Sequence, residues 1–175
     1  MTAFVGPATM GLTDYPVQCN SWSDYENTFG SLDPTVPLSY AVFMFFLNGG
    51  STALVVRNSV DGATTAQSVL SKDITLDASS EGTWANTVAT PPGGLTAVVD
   101  TSNLVNPAVN QFNLTIKLAD VTVEHYPGLS VKAGTANYIG NALLSSQYVV
   151  LDSHTTPATV PVACSERSRR RASRL

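Results

Sequence analysis

At 175 residues, with 43% hydrophobic and 13% charged side chains, the chain is long enough for one compact domain, or one domain with a smaller insertion, and too apolar to stay unfolded. The formal charge of −4 hides an asymmetry: Arg167, Arg169, Arg170, Arg171 and Arg174 crowd the last nine positions, while the four other bases face twelve acids through Ala163, a net −8. Such an acidic body repels phosphate, which argues against nucleic acid as a partner, and the longest apolar run, residues 40–47, is far short of the ~20 that a membrane span needs.

In chain order, Thr2–Gly6 (TAFVG) opens as an apolar strand, and Cys19 falls in a second extended stretch. Ser21 caps a first helix, with Asp24 three residues on in a capping-box relation, and Gly30 follows Phe29 where a left-handed terminal residue is expected. Pro37 suits the first turn of a second helix over residues 38–48, and Gly49-Gly50 stops it. Residues 52–57 then read as a buried strand, so that residues 2–57 form a strand–helix–helix–strand unit. Both strands are continuously apolar, which predicts a parallel, side-by-side pair covered on two faces, with a right-handed crossover.

From Val60 onward the period changes to two. Ile74–Ala78 and Leu95–Asp100 are strands, with a break at residues 91–94, Pro-Pro-Gly-Gly, before the second. Phe112, Leu114, Ile116 and Leu118 alternate with polar residues and point inward; a tight Ala119-Asp120 turn leads into residues 121–126, completing an antiparallel hairpin. Residues 138–144 have helical spacing and 148–151 return to strand. The fold class expected is α+β: a partial α/β core followed by an antiparallel β domain.

Little in the chain carries catalytic chemistry. No Gly-x-Ser-x-Gly elbow, dinucleotide fingerprint or phosphate loop is present. Cys19 and Cys164 lie far apart, without metal-ligand spacing, and read as isolated thiols. Asp152-Ser153-His154 has the residue types of a hydrolase triad, but neighbours in one extended segment point to opposite faces, so a polar turn is expected instead. His125 is placed on the Val121–Val123 face as a hydrogen-bonded, partly buried imidazole. Trp22 and Trp84 are packing anchors, and Phe43, Phe45 and Phe46 are helix core. Asn113-Leu114-Thr115, a formal glycosylation sequon, lies within a strand. The first residues lack a basic segment followed by a long apolar one, so no export signal is expected. No catalytic, cofactor-binding or metal residue is assigned.

The order TAFVG, DYPVQCNSWSDYENTFG, PLSYAVFMFFLNGG, ALVVR, EGTWAN, FNLTIKL, VEHYPGLSV and YIGNALLSSQYVVL resembles the contractile tail sheath proteins of phages and related injection machines. The similarity runs through most of the first 151 residues and rests on shared order, since each motif is short. The resemblance implies that residues 1–60 open a sheath core, that 61–151 form an inserted antiparallel β-barrel-like domain, and that 152–175 are a disordered basic tail. It implies a structural, non-enzymatic subunit without cofactor, packed against other sheath subunits and an inner tube protein, in a virion tail or a cytoplasmic injection system. In the family's Gly-x-Trp-Gly-Asn-like turn, Ala85 stands for the second glycine; were positive φ needed there, alanine would strain the turn by about 1 kcal/mol. Sheath proteins also carry an arm before the TAFVG-like strand and a long continuation after the region equivalent to Leu151, where this chain has SERSRRRASRL; a truncated or shifted reading frame would produce that ending. The competing expectation is a stand-alone β-rich binding module derived from the sheath insertion domain.

Overall fold

The computed structural model describes residues 1–59, 62–86, 88–89, 92–102, 104 and 110–161. The expectations for Cys164 and the arginine-rich tail lie outside these. The chain divides into two units, one of Met1–Thr65 with Ser80–Trp84, the other of Ala66–Ser79 with the chain from Ala85 onward.

In the first unit, β1 (Thr2–Gly6) pairs in parallel with β3 (Ala53–Arg57), as the two apolar runs predict. A further strand, β2 (Pro16–Cys19), pairs antiparallel with the other edge of β3, giving the order β1-β3-β2. The unit is thus strand–strand–helix–helix–strand, and Cys19 lies in β2.

Helix α1 (Trp22–Phe29) begins where Ser21 Oγ accepts the Asp24 N–H at 3.1 Å. The reciprocal bond of the capping box is displaced by one residue, because the Asp24 carboxylate takes the N–H of Asn20 at 2.9 Å. Tyr25 and Phe29, four apart, are the buried stripe, and Trp22 stacks on Tyr25 with centroids 5.1 Å apart. Gly30 caps the helix, its N–H reaching Glu26 O at 3.1 Å.

Helix α2 (Pro37–Leu47) lacks a side-chain cap at Val36; instead buried Ser39 donates to Val36 O at 2.7 Å and accepts the Asp33 N–H at 3.3 Å. Its end is a full Schellman closure. Gly50 N–H bonds Phe45 O at 2.9 Å, and Gly49, at φ 87°, bonds Phe46 O at 3.1 Å. Leu38, Ser39 and Val42 are its buried residues. Phe43, Phe45 and Phe46 are half-buried, and Met44 and Leu47 are exposed, so the aromatic cluster is the rim of the core and not its centre. Register places Phe4, Val55, Val17, Ala53 and Cys19 on one face of the sheet, in the core that also holds Tyr25, Phe29 and Val42. The opposite face departs from the expectation of two-sided burial: Ala3 is exposed, Val5 is 69% exposed, and Leu54 and Val56 are half-buried.

In the second unit, β8 (Leu95–Asp100), β9 (Gln111–Leu118) and β10 (Val121–Ser130) form one antiparallel sheet in the order β10-β9-β8. A second antiparallel sheet has the order β11-β5-β4, from β4 (Gln67–Ser71), β5 (Ile74–Ala78) and β11 (Val149–Leu151). A two-stranded ladder joins β6 (Val88–Ala89) to β7 (Pro92–Gly93), the latter within the stretch expected only to break the chain. Among the described residues these sheets are open, and no closed barrel is formed; the α+β class holds. Helical structure over the expected 138–144 is a short α3 (Ile139–Ala142) with a 3-10 turn at Leu143–Ser145.

Ala119 and Asp120, at φ 48° and 64°, make the two-residue turn that sets Leu118 opposite Val121. Phe112, Leu114 and Ile116 are fully buried, whereas Leu118 beside the turn is only half-buried. Ile74, Leu76, Leu129, Ile139, Leu143 and Val149 complete this core. Ile116→Asp places an unpaired charge at its centre, so the unit should lose several kcal/mol and melt well below the parent in a calorimetric scan. An unchanged melting temperature would refute the inward assignment.

Candidate functional site

The residues that sequence reasoning singled out do not converge. Asp152, Ser153 and His154 form the polar turn expected of them, and because the chain turns there their side chains touch. Asp152 Oδ1 accepts the His154 backbone N–H at 2.7 Å and lies 3.2 Å from His154 Nδ1, while Ser153 Oγ is 3.3 Å from that same nitrogen. A relay needs the carboxylate on one ring nitrogen and the hydroxyl on the other. Both crowd Nδ1, on an imidazole 93% exposed, and the result is a side-chain-closed turn.

His125 is on the opposite face from that predicted. Val123 is the extra residue of a bulge between Thr122 and Glu124, so alternation slips by one. His125 therefore sits opposite Thr115, exposed, with Nδ1 3.0 Å from the Thr115 hydroxyl. The same slip turns Glu124 inward, opposite Ile116. Its carboxylate accepts from Tyr126 Oη at 3.0 Å, Ser146 Oγ at 2.6 Å and the Gln147 N–H at 2.8 Å. Ser146 Oγ in turn accepts the N–H groups of Tyr148 and Val149, so one carboxylate ties β10 to the entry of β11. Burial, with Glu124 adding to it, raises the Tyr148 phenol. Asn113 of the sequon is engaged at both ends of its amide, donating to Ser102 O at 3.0 Å and accepting the Gly128 N–H at 2.9 Å.

A second polar centre is one that pattern reading missed. Arg57, 4% exposed at the end of β3, donates to three backbone carbonyls: Nε to Ala8 at 3.0 Å, Nη1 to Gly11 at 2.5 Å and Nη2 to Glu81 at 2.8 Å. Burial lowers its pKa and the Glu81 charge opposes that, but a guanidinium stays cationic. The Glu81 carboxyl is held below its usual range by its own backbone amide, by the Thr13 and Ser59 hydroxyls and by Arg57, against the effect of burial. Gly82, at φ 127°, is required here, since a Cβ would lie 3.2 Å from Arg57 Nη2 and 3.1 Å from Trp84 Cδ1. Trp84 is half-buried, its Nε1 donating to Ser80 O at 3.3 Å. Ala85 is buried in the turn Thr83–Ala85 and is not among the residues with positive φ, so the anticipated strain is absent there.

Cys19 and Tyr25 share the first core. Burial raises the thiol to about 11, with the Asp24 charge adding to it, and burial raises the phenol to about 12, with Cys19 adding to it. A thiol so raised is a poor nucleophile at neutral pH. Among the described residues no group of three or more His, Cys, Asp or Glu is placed to hold a metal ion, and no helix is long and apolar enough to cross a membrane. A cavity in the second unit, lined by Leu76, Leu95, Ala97 and Val149, holds ≈ 40 Å³, room for water but far below the ~300 Å³ of small substrate pockets.

The fold resembles part of two solved sheath tail proteins. The chain matches the sheath tail protein Lin1278 from Listeria innocua with a TM-score of 0.62 and 23% identity, over 93% of this chain and 32% of that one. It matches the sheath tail protein DSY3957 from Desulfitobacterium hafniense with a TM-score of 0.60 and 16% identity, over 93% of this chain and 33% of that one. The chain thus spans about a third of the length of each. No protein-family model and no curated protein matches it.

Two consequences are measurable. Arg57→Leu removes three bonds and leaves three carbonyls without their donor, which should cost the first unit about 3–5 kcal/mol in denaturant unfolding; Arg57→Lys, lacking the fork, should recover less than half. Because Cys19 and Tyr25 keep their protons more tightly when folded, stability is full below about pH 9, the ordinary thiol value, and falls as pH rises toward 12. Cys19→Ala should flatten the part of that loss between pH 9 and 11 in a chemical-denaturation series.

Proposed function

We propose that this chain is a structural component of a contractile tail sheath, in a phage tail or a cellular injection system. Residues 1–60 open the sheath core, residues 61–151 supply its inserted antiparallel domain, and residues 152–175 form a basic tail. The observation carrying the reading is the fold match to two sheath tail proteins over 93% of the chain, in the order in which the sequence motifs resemble that family. It is supported by where the strong polar interactions go: Arg57 and Glu124 are both spent on holding backbone segments together, as a load-transmitting part requires.

In this reading the protein works mechanically and without a cofactor. Its partners are other sheath subunits and an inner tube protein, and work is stored in the packing of the lattice. Gold-labelled antibody against this chain, applied to tail or injection particles from its source and viewed by electron microscopy, should decorate the sheath along its length. Label confined to the baseplate, or particles that lack the chain, would sink the proposal.

A further inference from the structure

We propose that Asn48 is a covalent modification site: its side-chain amide deamidates by attack of the Gly49 nitrogen when the end of α2 is open, and the closed end suppresses the reaction. The inference stands on this helix end alone and does not depend on the sheath reading.

Sequence and exposure both point to this residue. Of the eleven asparagines in the chain, Asn48 is the one that glycine follows. Glycine hinders attack by its own backbone nitrogen least, because it lacks a Cβ and reaches the widest range of φ and ψ. Asn48 and Gly49 are both exposed, and the space beside Gly49 is open. Water therefore reaches the pair, and burial is not what preserves the amide.

The protection is conformational. Closing the five-membered imide requires the Gly49 nitrogen to swing onto Asn48 Cγ. Asn48 stands at φ −92° and ψ 20°, which turns that nitrogen away, and the Gly49 N–H is committed to Phe46 O at 3.1 Å. The side chain is held as well: Asn48 Nδ2 donates to Met44 O at 2.7 Å, drawing the amide back along the helix. The Gly50 N–H, bonded to Phe45 O at 2.9 Å, locks the same turn. Rotation about the Asn48 Cα–C bond breaks the Gly49 and Gly50 bonds together, so the reaction runs only from the locally opened helix end.

The chemistry balances with water as the other reactant. The Gly49 nitrogen bonds Asn48 Cγ and gives up its proton, the Cγ–Nδ2 bond breaks, and Nδ2 leaves as ammonia after gaining a proton. Water then opens the imide at either carbonyl, leaving an ordinary aspartate or a main chain rerouted through the side chain. Both products carry a carboxylate where the amide stood. It has no proton to offer Met44 O, and it adds negative charge where the last carbonyls of α2 already gather it. The modified end thus closes less well than the parent.

The test uses the full 175-residue chain, incubated at mildly alkaline pH in buffer and in concentrated guanidinium, with every asparagine followed by peptide mass spectrometry. In guanidinium Asn48 should convert to the acid first of the eleven. In buffer its conversion should be slower by about tenfold or more, the open population setting the rate. Gly50→Ala keeps the Asn-Gly pair but sets a Cβ against the Phe45 ring, so it should raise the buffer rate about threefold or more and leave the guanidinium rate unchanged. Asn48→Asp should speed amide exchange at Gly49 and Gly50 by about threefold. Equal parent rates in buffer and guanidinium, another asparagine converting first in guanidinium, or unaltered Gly49 and Gly50 exchange in Asn48→Asp would each overturn the proposal. The parent comparison decides whether or not Gly50→Ala folds; where it folds, a buffer rate equal to the parent's would overturn the proposal too.

Discussion

A buried cation whose hydrogen bonds all go to main-chain carbonyls among the described residues is the constraint around which the first unit is arranged. The hydrogen bonds of Arg57 go to carbonyls of residues 8, 11 and 81, two segments remote from it and from each other in sequence, and the Glu81 charge adds to them. Desolvating a guanidinium costs several kcal/mol, and the cost is met only when most of its donors find acceptors in one geometry. The loop after β1 and the segment around Glu81 are therefore positioned together or not at all. This makes Arg57 an all-or-none clasp. It also explains the demand for a residue without a Cβ at Gly82, where a side chain would press on the guanidinium.

The second unit solves a similar problem with opposite charge. The bulge at Val123 is what brings Glu124 inward, and Glu124 then satisfies the polar groups at the entrance to β11. An irregular strand is thus a means of delivering one acceptor to a segment more than twenty residues away. Arg57 and Glu124 each tie separate segments of their own unit together beside an apolar core.

How much of this was legible depends on range. Ser21, Pro37 and Gly49-Gly50 delimit their helices because capping is a contact within five residues, and the Schellman closure is fully local. The β1–β3 pairing was legible from continuous apolarity, and the β9–β10 hairpin from alternation and a two-residue turn. The face of His125 was not, because a single inserted residue inverts parity and leaves no mark in the hydrophobic pattern. The role of Arg57 was hidden for a different reason: its acceptors are main-chain carbonyls, which every residue has. The polar turn at Asp152–His154 was legible from its residue types, although the contacts that close it were not, because adjacent side chains meet only once the segment turns.

The two pairings differ sharply in loop length. The β9–β10 turn closes over two residues, whereas 46 residues separate Gly6 from Ala53. Hairpins of the first kind form in about 1–10 μs, while a pairing of the second kind must await the entropy of closing a long loop. During synthesis β1 emerges first and stays without its partner until β3 has been made. For that interval an uncharged, largely apolar strand has both edges open, which is the condition under which chains associate wrongly. Among the described strands β1 is therefore the one that waits longest for its first partner.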